Sequence, residues 1–399
     1  MLTLDKVYHA SFVLKNIIRK TDMILAPNIN PESEIHLKTE NLQVTGSFKV
    51  RGAAYKISQL SEEEKARGVI ACSAGNHAQG VALAATKNGI KSLICLPDGA
   101  PISKVEATRK YGADICLVEG VYDDAYNKAL ELKDEKGYTF IHPFNDEDVI
   151  AGQGTIGLEI LDQIPDVDVV IVPIGGGGLI SGVAFAIKEL NPNVKVYGVQ
   201  ATGAPSMLKS IDDGKIEKLD SVSTIADGIA VKEPGDITFA MCQKYVDGIV
   251  TVSDDEIAAA ILALIEQQKL ITEGAGAVSV AAAMFNKVDV KGKKVCCLLS
   301  GGNIDVTILS RVIKRGLLKS GRTYSLTIEL LDKPGQLKGV ADIIAKEGRQ
   351  CYFNSSRACI RGSDINGCYL RIVLETKNFD HIAQIKKALT DAGFIIKSY

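Results

Sequence analysis

Lys49 stands in a segment whose residue types could support Schiff-base chemistry. It follows the apolar Phe48 and opens a helical pattern, in the run Thr45-Gly46-Ser47-Phe48-Lys49-Val50-Arg51-Gly52. A lysine in such a place can be partly desolvated, and desolvation favours the neutral amine that reacts with carbonyl groups. Because most lysines are solvated surface groups, the interpretation of Lys49 depends on the motifs that accompany it.

A second motif, Ser73-Ala74-Gly75-Asn76-His77, places small residues before a helical pattern. Small residues expose backbone N–H groups at a helix start, and such groups favour an anion, for example a carboxylate. The alternative is a purely structural helix start that Ser73 or Asn76 caps with its side chain.

The third motif is a run of glycines behind an apolar strand pattern: Gly175, Gly176, Gly177 and Gly178. Their backbone can wrap a phosphate at a helix start. The run matches neither the G-x-G-x-x-G pattern of dinucleotide sites nor a P-loop, because no Gly-Lys-Ser/Thr follows it. A single phosphate is therefore enough to explain the motif.

The fourth motif, Leu298-Leu299-Ser300-Gly301-Gly302-Asn303, ends another strand pattern. A hydroxyl at this place can hydrogen-bond a ring nitrogen. Serine is a weaker partner than a carboxylate, so it would leave such a nitrogen largely unprotonated. The alternative is a plain strand-to-helix turn.

Short strand patterns alternate with helical patterns up to about residue 320, which indicates βαβ units and an α/β fold. Strands are predicted at residues 35–38, 68–72, 91–96, 114–118, 167–173, 195–199, 248–252 and 294–299. Three of the motifs follow such strands, and ligands of open α/β sheets bind beyond the carboxyl ends of the strands. These motifs therefore lie where a site would form.

A different pattern follows a basic stretch at residues 311–322, which we expect to be an exposed connector. Strand patterns at residues 324–331, 351–360, 367–375 and 394–398 alternate with helical patterns at residues 336–346 and 379–392, with a turn at Asp332-Lys333-Pro334-Gly335. This is the βαββαβ order of a ferredoxin-like domain.

Composition argues against several classes of protein. A formal net charge of −2 offers no basic field for nucleic acid, and no apolar run reaches the roughly 18 residues that span a bilayer. Nine scattered cysteines without a C-x-x-C pair argue against a disulfide framework or a zinc site. We expect a cytoplasmic protein with reduced thiols and no metal, membrane or nucleic-acid partner.

Together and in this order, the four motifs resemble those of the threonine dehydratase family, whose enzymes use pyridoxal 5'-phosphate (PLP). The resemblance implies a tryptophan-synthase-β-like α/β fold over residues 1–320, with a mobile small subdomain at about residues 50–145. It implies an ACT-like regulatory domain over residues 323–399, a homodimer or homotetramer, and an amino-acid or nucleotide effector.

The resemblance also implies roles for individual residues. Lys49 would carry the cofactor as the internal aldimine and act as base, and Phe48 would flank the ring. Asn76 would contact the phenolic oxygen, Ser300 the ring nitrogen, and the four glycines the phosphate. The substrate carboxylate would lie near Ser73, Asn76 and His77. The loops at Asp227-Gly228 and Glu273-Gly274 would lie near the site, with a plain turn as an equal alternative for Asp227-Gly228. The implied reaction is β-elimination of the amino-acid substrate L-threonine to 2-oxobutanoate and ammonia, with L-serine as a side substrate.

Three other functions compete with this one. A serine or threonine racemase of the same family needs a second acid/base beside Ser73, where this chain has Ala74, and acidic metal ligands that would match Gln200 and Ser206. A nicotinamide-dependent oxidoreductase would require the missing G-x-G-x-x-G pattern. The last alternative is a non-catalytic amino-acid sensor, since ACT-like domains occur in such proteins.

Overall fold

The structure, a computed structural model, describes residues 2–331, 333–348, 351–358 and 367–397, with the backbone alone for residues 351–358 and 367. The chain divides into two compact units, Met1–Asp305 and Val306–Tyr399. Within the described ranges, no helix is both long and apolar enough to cross a membrane.

The first unit alternates helices and strands. Its helices are α1 (Leu4–Leu14), α2 (Lys49–Ser58), α3 (Glu62–Arg67), α4 (Asn76–Lys87), α5 (Ile102–Lys110), α6 (Tyr122–Lys136), α7 (Glu147–Gln163), α8 (Gly178–Leu190), α9 (Ser206–Asp212), α10 (Asp236–Tyr245), α11 (Asp254–Ala263) and α12 (Gly274–Met284). Its strands are β1 (Met23–Leu25), β2 (Glu34–Lys38), β3 (Val69–Cys72), β4 (Ser92–Pro97), β5 (Asp114–Val118), β6 (Thr139–Phe140), β7 (Val169–Pro173), β8 (Lys195–Ala201), β9 (Gly248–Val252) and β10 (Lys294–Leu298).

The larger sheet has the strand order β1-β2-β10-β7-β8-β9. Its neighbouring strands are parallel, apart from the antiparallel pair β1 and β2. Every residue of β7 is buried, as expected for a parallel strand that helices cover on both faces. The predicted α/β class is therefore confirmed.

A second parallel sheet lies between residues 69 and 140, with the order β5-β4-β3-β6. It has its own apolar core on both faces, which includes Val69 and Ile94 on one side and Ile70 and Ala129 on the other. The loop that follows β3 carries the Ser73 motif. The glycine run and Ser300 follow β7 and β10 of the larger sheet, so all three motifs lie at carboxyl ends of strands.

The second unit contains α13 (Val306–Lys319), β11 (Thr323–Leu331), α14 (Gln336–Lys346), β12 (Cys351–Ala358), β13 (Gly367–Glu375), α15 (Phe379–Asp391) and β14 (Ile395–Lys397). Its strands form an antiparallel sheet in the order β12-β13-β11-β14, and its core joins one face of β11 to α14 and α15. This arrangement confirms the predicted ferredoxin-like order. Parts of the predicted elements lie outside the described residues: Asp332, residues 359–360 and Ser398.

The basic stretch at residues 311–322 differs from the expected connector. Most of it belongs to α13, which packs in the second unit and buries Val312 and Gly316. The charged residues suggested a solvated connector, but apolar side chains recur between them at helical spacing. The stretch is therefore part of an amphipathic helix.

Candidate active site

Lys49 and Ser300 are brought together by the segment that leads into α2. The backbone N–H of Phe48 donates to the carbonyl oxygen of Ser300 at 3.1 Å, and Ser47 forms an isolated bridge with Gly301. The segment is thereby held along the chain that follows β10. Lys49 begins α2 at this point, next to the carboxyl end of a central strand.

The Lys49 side chain is partly buried, and its Nζ donates to the carbonyl oxygen of Pro143 at 2.9 Å. The same Nζ lies 5.2 Å from the centroid of the Phe48 ring. Burial lowers the pKa of Lys49 from 10.5 to about 8, although Glu273 acts in the opposite direction. About a tenth of the amine is therefore neutral at pH 7, far more than for a solvated lysine, and the neutral amine is the form that imine chemistry requires.

The glycine run connects β7 to α8 and contacts Phe144 closely. A Cβ at Gly176 would lie 2.5 Å from the Phe144 ring, and one at Gly178 would lie 2.8 Å from its backbone. Gly177 adopts a left-handed φ of +96° as the N-cap of α8, and no side chain caps that helix. The first N–H groups of α8 are thus available to an anion such as a phosphate.

Helix α4 also begins without a side-chain cap. Its N-cap is Gly75, whose N–H donates to the Ser73 hydroxyl at 3.1 Å. The structural alternative for this motif, a helix capped by Ser73 or Asn76, is therefore wrong. The N–H groups at the start of α4 remain available to an anion, as in α8.

His77 is a buried, neutral side chain. Its Nε2 lies 2.8 Å from the carbonyl oxygen of Ile141, which can only accept, so Nε2 carries the proton. Burial and the positive charge of Lys49 lower the pKa of His77 to about 3. His77 can therefore offer an anion its backbone N–H at the start of α4, but no imidazolium charge.

Asn76 joins the small sheet's loop to the larger sheet. Its Nδ2 donates to Oε1 of Glu273 at 2.7 Å, and its Oδ1 accepts from Asn303 at 2.8 Å. Burial and the negative charge of Asp227 raise the pKa of Glu273 from 4.5 to about 7. The hydroxyl of Ser300, which is buried nearby, donates to the carbonyl oxygen of Ala275 at 3.3 Å.

These contacts bring together two helix starts that no side chain caps, an amine of lowered pKa and buried hydroxyl and amide groups. A family model described as "Pyridoxal-phosphate dependent enzyme" matches residues 14–301. The chain belongs to this family. Its cofactor is therefore PLP, and the predicted resemblance is confirmed at the level of the family.

The relatives of this chain include an L-threonine ammonia-lyase of Thermotoga maritima, 49% identical over 100% of this chain and 99% of that protein. Among solved structures, processed threonine deaminase isoform 2 of Solanum lycopersicum is 39% identical, with a TM-score of 0.74, over 79% of this chain and 89% of that one. Maize serine racemase is 35% identical, with a TM-score of 0.75, over 80% of this chain and 98% of that one.

The residues present fit PLP. The uncapped start of α8 suits its phosphate, and the depressed pKa of Lys49 suits its aldehyde. The buried hydroxyl of Ser300 can turn from Ala275 toward a ring nitrogen. The first unit thus contains a chemically suitable partner for the phosphate, the aldehyde and the ring nitrogen of PLP.

Several residues of the site were not assigned by sequence reasoning. Pro143 and Phe144 connect Lys49 to the glycine run, and Asn303 holds Asn76. Asn303 could have been found from the sequence, because it is the last residue of the Ser300 motif. The role of Pro143 could not, because every residue has a backbone carbonyl and no local pattern distinguishes this one. Gln200, at a position that metal-binding racemases would need to be acidic, instead accepts from the Leu208 N–H at 2.8 Å.

Proposed function

We propose that the chain deaminates L-threonine to 2-oxobutanoate and ammonia, with L-serine as a side substrate. The observation that carries the proposal is an amine of lowered pKa, Lys49, in a site with two helix starts that no side chain caps. Such a site suits two anionic groups, the phosphate of the cofactor and the carboxylate of an amino-acid substrate. The full-length similarity to a threonine ammonia-lyase supports the choice of substrate.

In this proposal the cofactor and the substrate are held by different groups of the site. The backbone N–H groups at Gly175, Gly176, Gly177 and Gly178 would bind the phosphate. The N–H groups at the start of α4, with Ser73, Asn76 and His77, would bind the carboxylate, and the side chain of Asn76 would contact the phenolic oxygen of PLP. Phe48 would pack beside the ring, and the hydroxyl of Ser300 would donate a hydrogen bond to the ring nitrogen. When bound, PLP withdraws electrons from the substrate Cα and so acidifies its proton.

Lys49 serves both as the attachment point for the cofactor and as the base. Its amine, with a pKa of about 8, can accept the Cα proton and yet be largely unprotonated in mildly basic solution. The Pro143 carbonyl oxygen, at 2.9 Å, orients the amine. Ser300 is a neutral partner, so it leaves little positive charge on the ring and favours prompt loss of the β-hydroxyl.

The racemase alternative needs a group that returns a proton from the opposite face. Position 74, beside Ser73, is alanine and has no proton to give. We therefore place lyase activity above racemase activity for this chain, although a serine racemase is among its structural relatives.

Lys49→Ala tests the proposal. The variant should lose the covalent link to PLP and all threonine deamination, and peptide mapping after borohydride reduction of the natural protein should find the cofactor on Lys49. Lys56→Ala is the matched control, because Lys56 lies in the same helix but pairs with Asp146 and Asp148 at 2.9 and 3.0 Å. A cofactor label on another lysine would contradict the assignment.

For the second unit we propose an ACT-like regulatory domain that pairs with a copy from another subunit and takes an amino-acid or nucleotide effector. Its ferredoxin-like strand order supports this role. Gly335, with φ of +92°, is the N-cap of α14, and we expect the carboxylate of an effector at this helix start. In this proposal the catalytic part and the regulatory part function as separate domains, within a homodimer or homotetramer.

A further inference from the structure

The side chain of Asn303 has an orientation that its neighbours dictate. Its Nδ2 lies 2.8 Å from the carbonyl oxygen of Thr45 and 2.8 Å from Oδ1 of Asn76. A backbone carbonyl can only accept a hydrogen bond, so the NH2 group of Asn303 must face Thr45. The second N–H of the same group then faces Asn76.

The orientation of the Asn303 amide determines the orientation of the Asn76 amide. Because Asn303 offers it only an N–H, Asn76 must turn its Oδ1 toward Asn303 and its NH2 group away. One N–H of that group donates to Glu273 Oε1 at 2.7 Å. The other N–H remains for a ligand.

We infer that Asn303 is a positioning residue that fixes the Asn76 amide so that it presents an N–H, and not its carbonyl oxygen, to the cofactor. The inference rests on the proposed function, in which Asn76 contacts the phenolic oxygen of PLP. That oxygen is an acceptor, so a reversed amide would place two acceptors face to face and lose the contact.

The backbone around Asn303 is shaped for this chain of hydrogen bonds. Gly46 adopts a left-handed φ of +71°, and a Cβ there would collide with Oδ1 of Asn303. A Cβ at Gly301 would collide with Oε1 of Glu273 and would lie 3.2 Å from Nδ2 of Asn76. Glycine at both positions leaves room for the side chains of Asn303, Asn76 and Glu273.

Glu273 by itself cannot hold Asn76 in one orientation at every pH. Its pKa of about 7 reflects burial and Asp227, which raise it, and Asn76, Lys104 and Lys49, which lower it. A protonated Glu273 can donate as well as accept, and would then tolerate either orientation of the amide. Asn303 has no titratable group, so it keeps Asn76 in place through this transition.

Asn303→Ala in the full-length holoenzyme tests the inference. The dissociation constant of PLP, measured by absorbance titration, should rise about fivefold, the effect of one lost hydrogen bond. The absorption spectrum of bound PLP should also acquire a new pH dependence near the pKa of Glu273, which a loss of folding stability alone would not produce. The double variant Asn303→Ala/Asn76→Ala should bind PLP no more weakly than Asn76→Ala does.

Asn30→Ala is a matched control, because Asn30 makes the same kind of bonds at another place. Its Nδ2 donates to the carbonyl oxygen of Ala283 at 2.9 Å and to Oδ1 of Asn286 at 3.0 Å. Both variants should lower the thermal midpoint, but only Asn303→Ala should change PLP binding and its spectrum. Asn303→Asp keeps the side-chain size and offers only acceptors when ionised, so it should weaken PLP binding too, even if the alanine variant does not fold.

The outcomes separate the inference from the proposed function. If Asn76→Ala binds PLP with an unchanged constant and spectrum, the proposed contact between Asn76 and the cofactor is wrong. If Asn76→Ala changes both but neither Asn303→Ala nor Asn303→Asp does, the positioning role of Asn303 is wrong while the contact stands. Additive losses in the double variant would equally overturn the positioning role.

Discussion

Replacing the buried Arg51 by methionine should destabilise the first unit strongly. Arg51 lies two residues after Lys49, and its side chain is fully buried. Its guanidinium donates to both oxygens of the buried Glu40, at 2.8 and 2.7 Å, and to Glu159 at 2.7 Å. Lys38 also binds Glu159, at 2.6 Å. The two cations and the two anions thus form a charge-balanced cluster next to the first turn of α2.

The magnitude follows from what Glu40 would lose. Burial acts to raise the pKa of Glu40, but the charge and hydrogen bonds of Arg51 outweigh it and hold the pKa below its ordinary value. Removing one partner of a buried ion pair costs about 3–5 kcal/mol. For a unit of the length of Met1–Asp305, such a loss corresponds to a fall in the thermal midpoint of about 5–8 °C.

Thermal unfolding followed by circular dichroism, near neutral pH, measures this fall. Arg109→Met is the matched control, because Arg109 pairs with Glu106 at the surface and its removal should leave the midpoint almost unchanged. The double variant Arg51→Met/Glu40→Met keeps the pair of Lys38 and Glu159, so it should be more stable than Arg51→Met. A double variant as unstable as the single one would refute the argument from an isolated buried charge.

Three further predictions concern the reaction, its pH dependence and the second unit. The natural protein should form negligible D-serine from L-serine, whereas Ala74→Ser should form a detectable amount by chiral chromatography; substantial racemisation by the natural protein would contradict the role of Ala74. Because the pKa of Glu273 is raised to about 7 on folding, the cofactor-free protein should lose stability as pH rises from 4.5 to 7. Glu273→Gln should flatten that part of the melting-temperature profile, and an unchanged profile would refute the assignment. Truncation after Asp305, where the first unit ends, should preserve PLP binding but abolish the response of threonine turnover to isoleucine, valine, AMP or ADP. It should also change the oligomer size measured by light scattering. A full effector response in the truncated chain would place the effector site elsewhere.

Much of the fold could be predicted because its signals are local. Strands β5 and β9 and helix α14 begin and end where the sequence pattern placed them, since hydrophobic periodicity and turn residues mark these elements within a few positions. The ferredoxin-like order of the second unit followed from the same signals. The short β1 and β6 escaped notice, because strands of three and two residues carry too little pattern to be recognised.

The residue types of the four motifs by themselves determined which groups the candidate site contains: an amine, two helix starts suited to anions and a hydroxyl. Only the tertiary structure decided how these groups act on one another. Burial that lowers the pKa of Lys49, the Pro143 carbonyl that orients it and the bond from Asn303 to Asn76 all join segments far apart in sequence. Such contacts depend on which strands become neighbours in the sheets, as when β10 inserts between β2 and β7, and no local pattern specifies that choice.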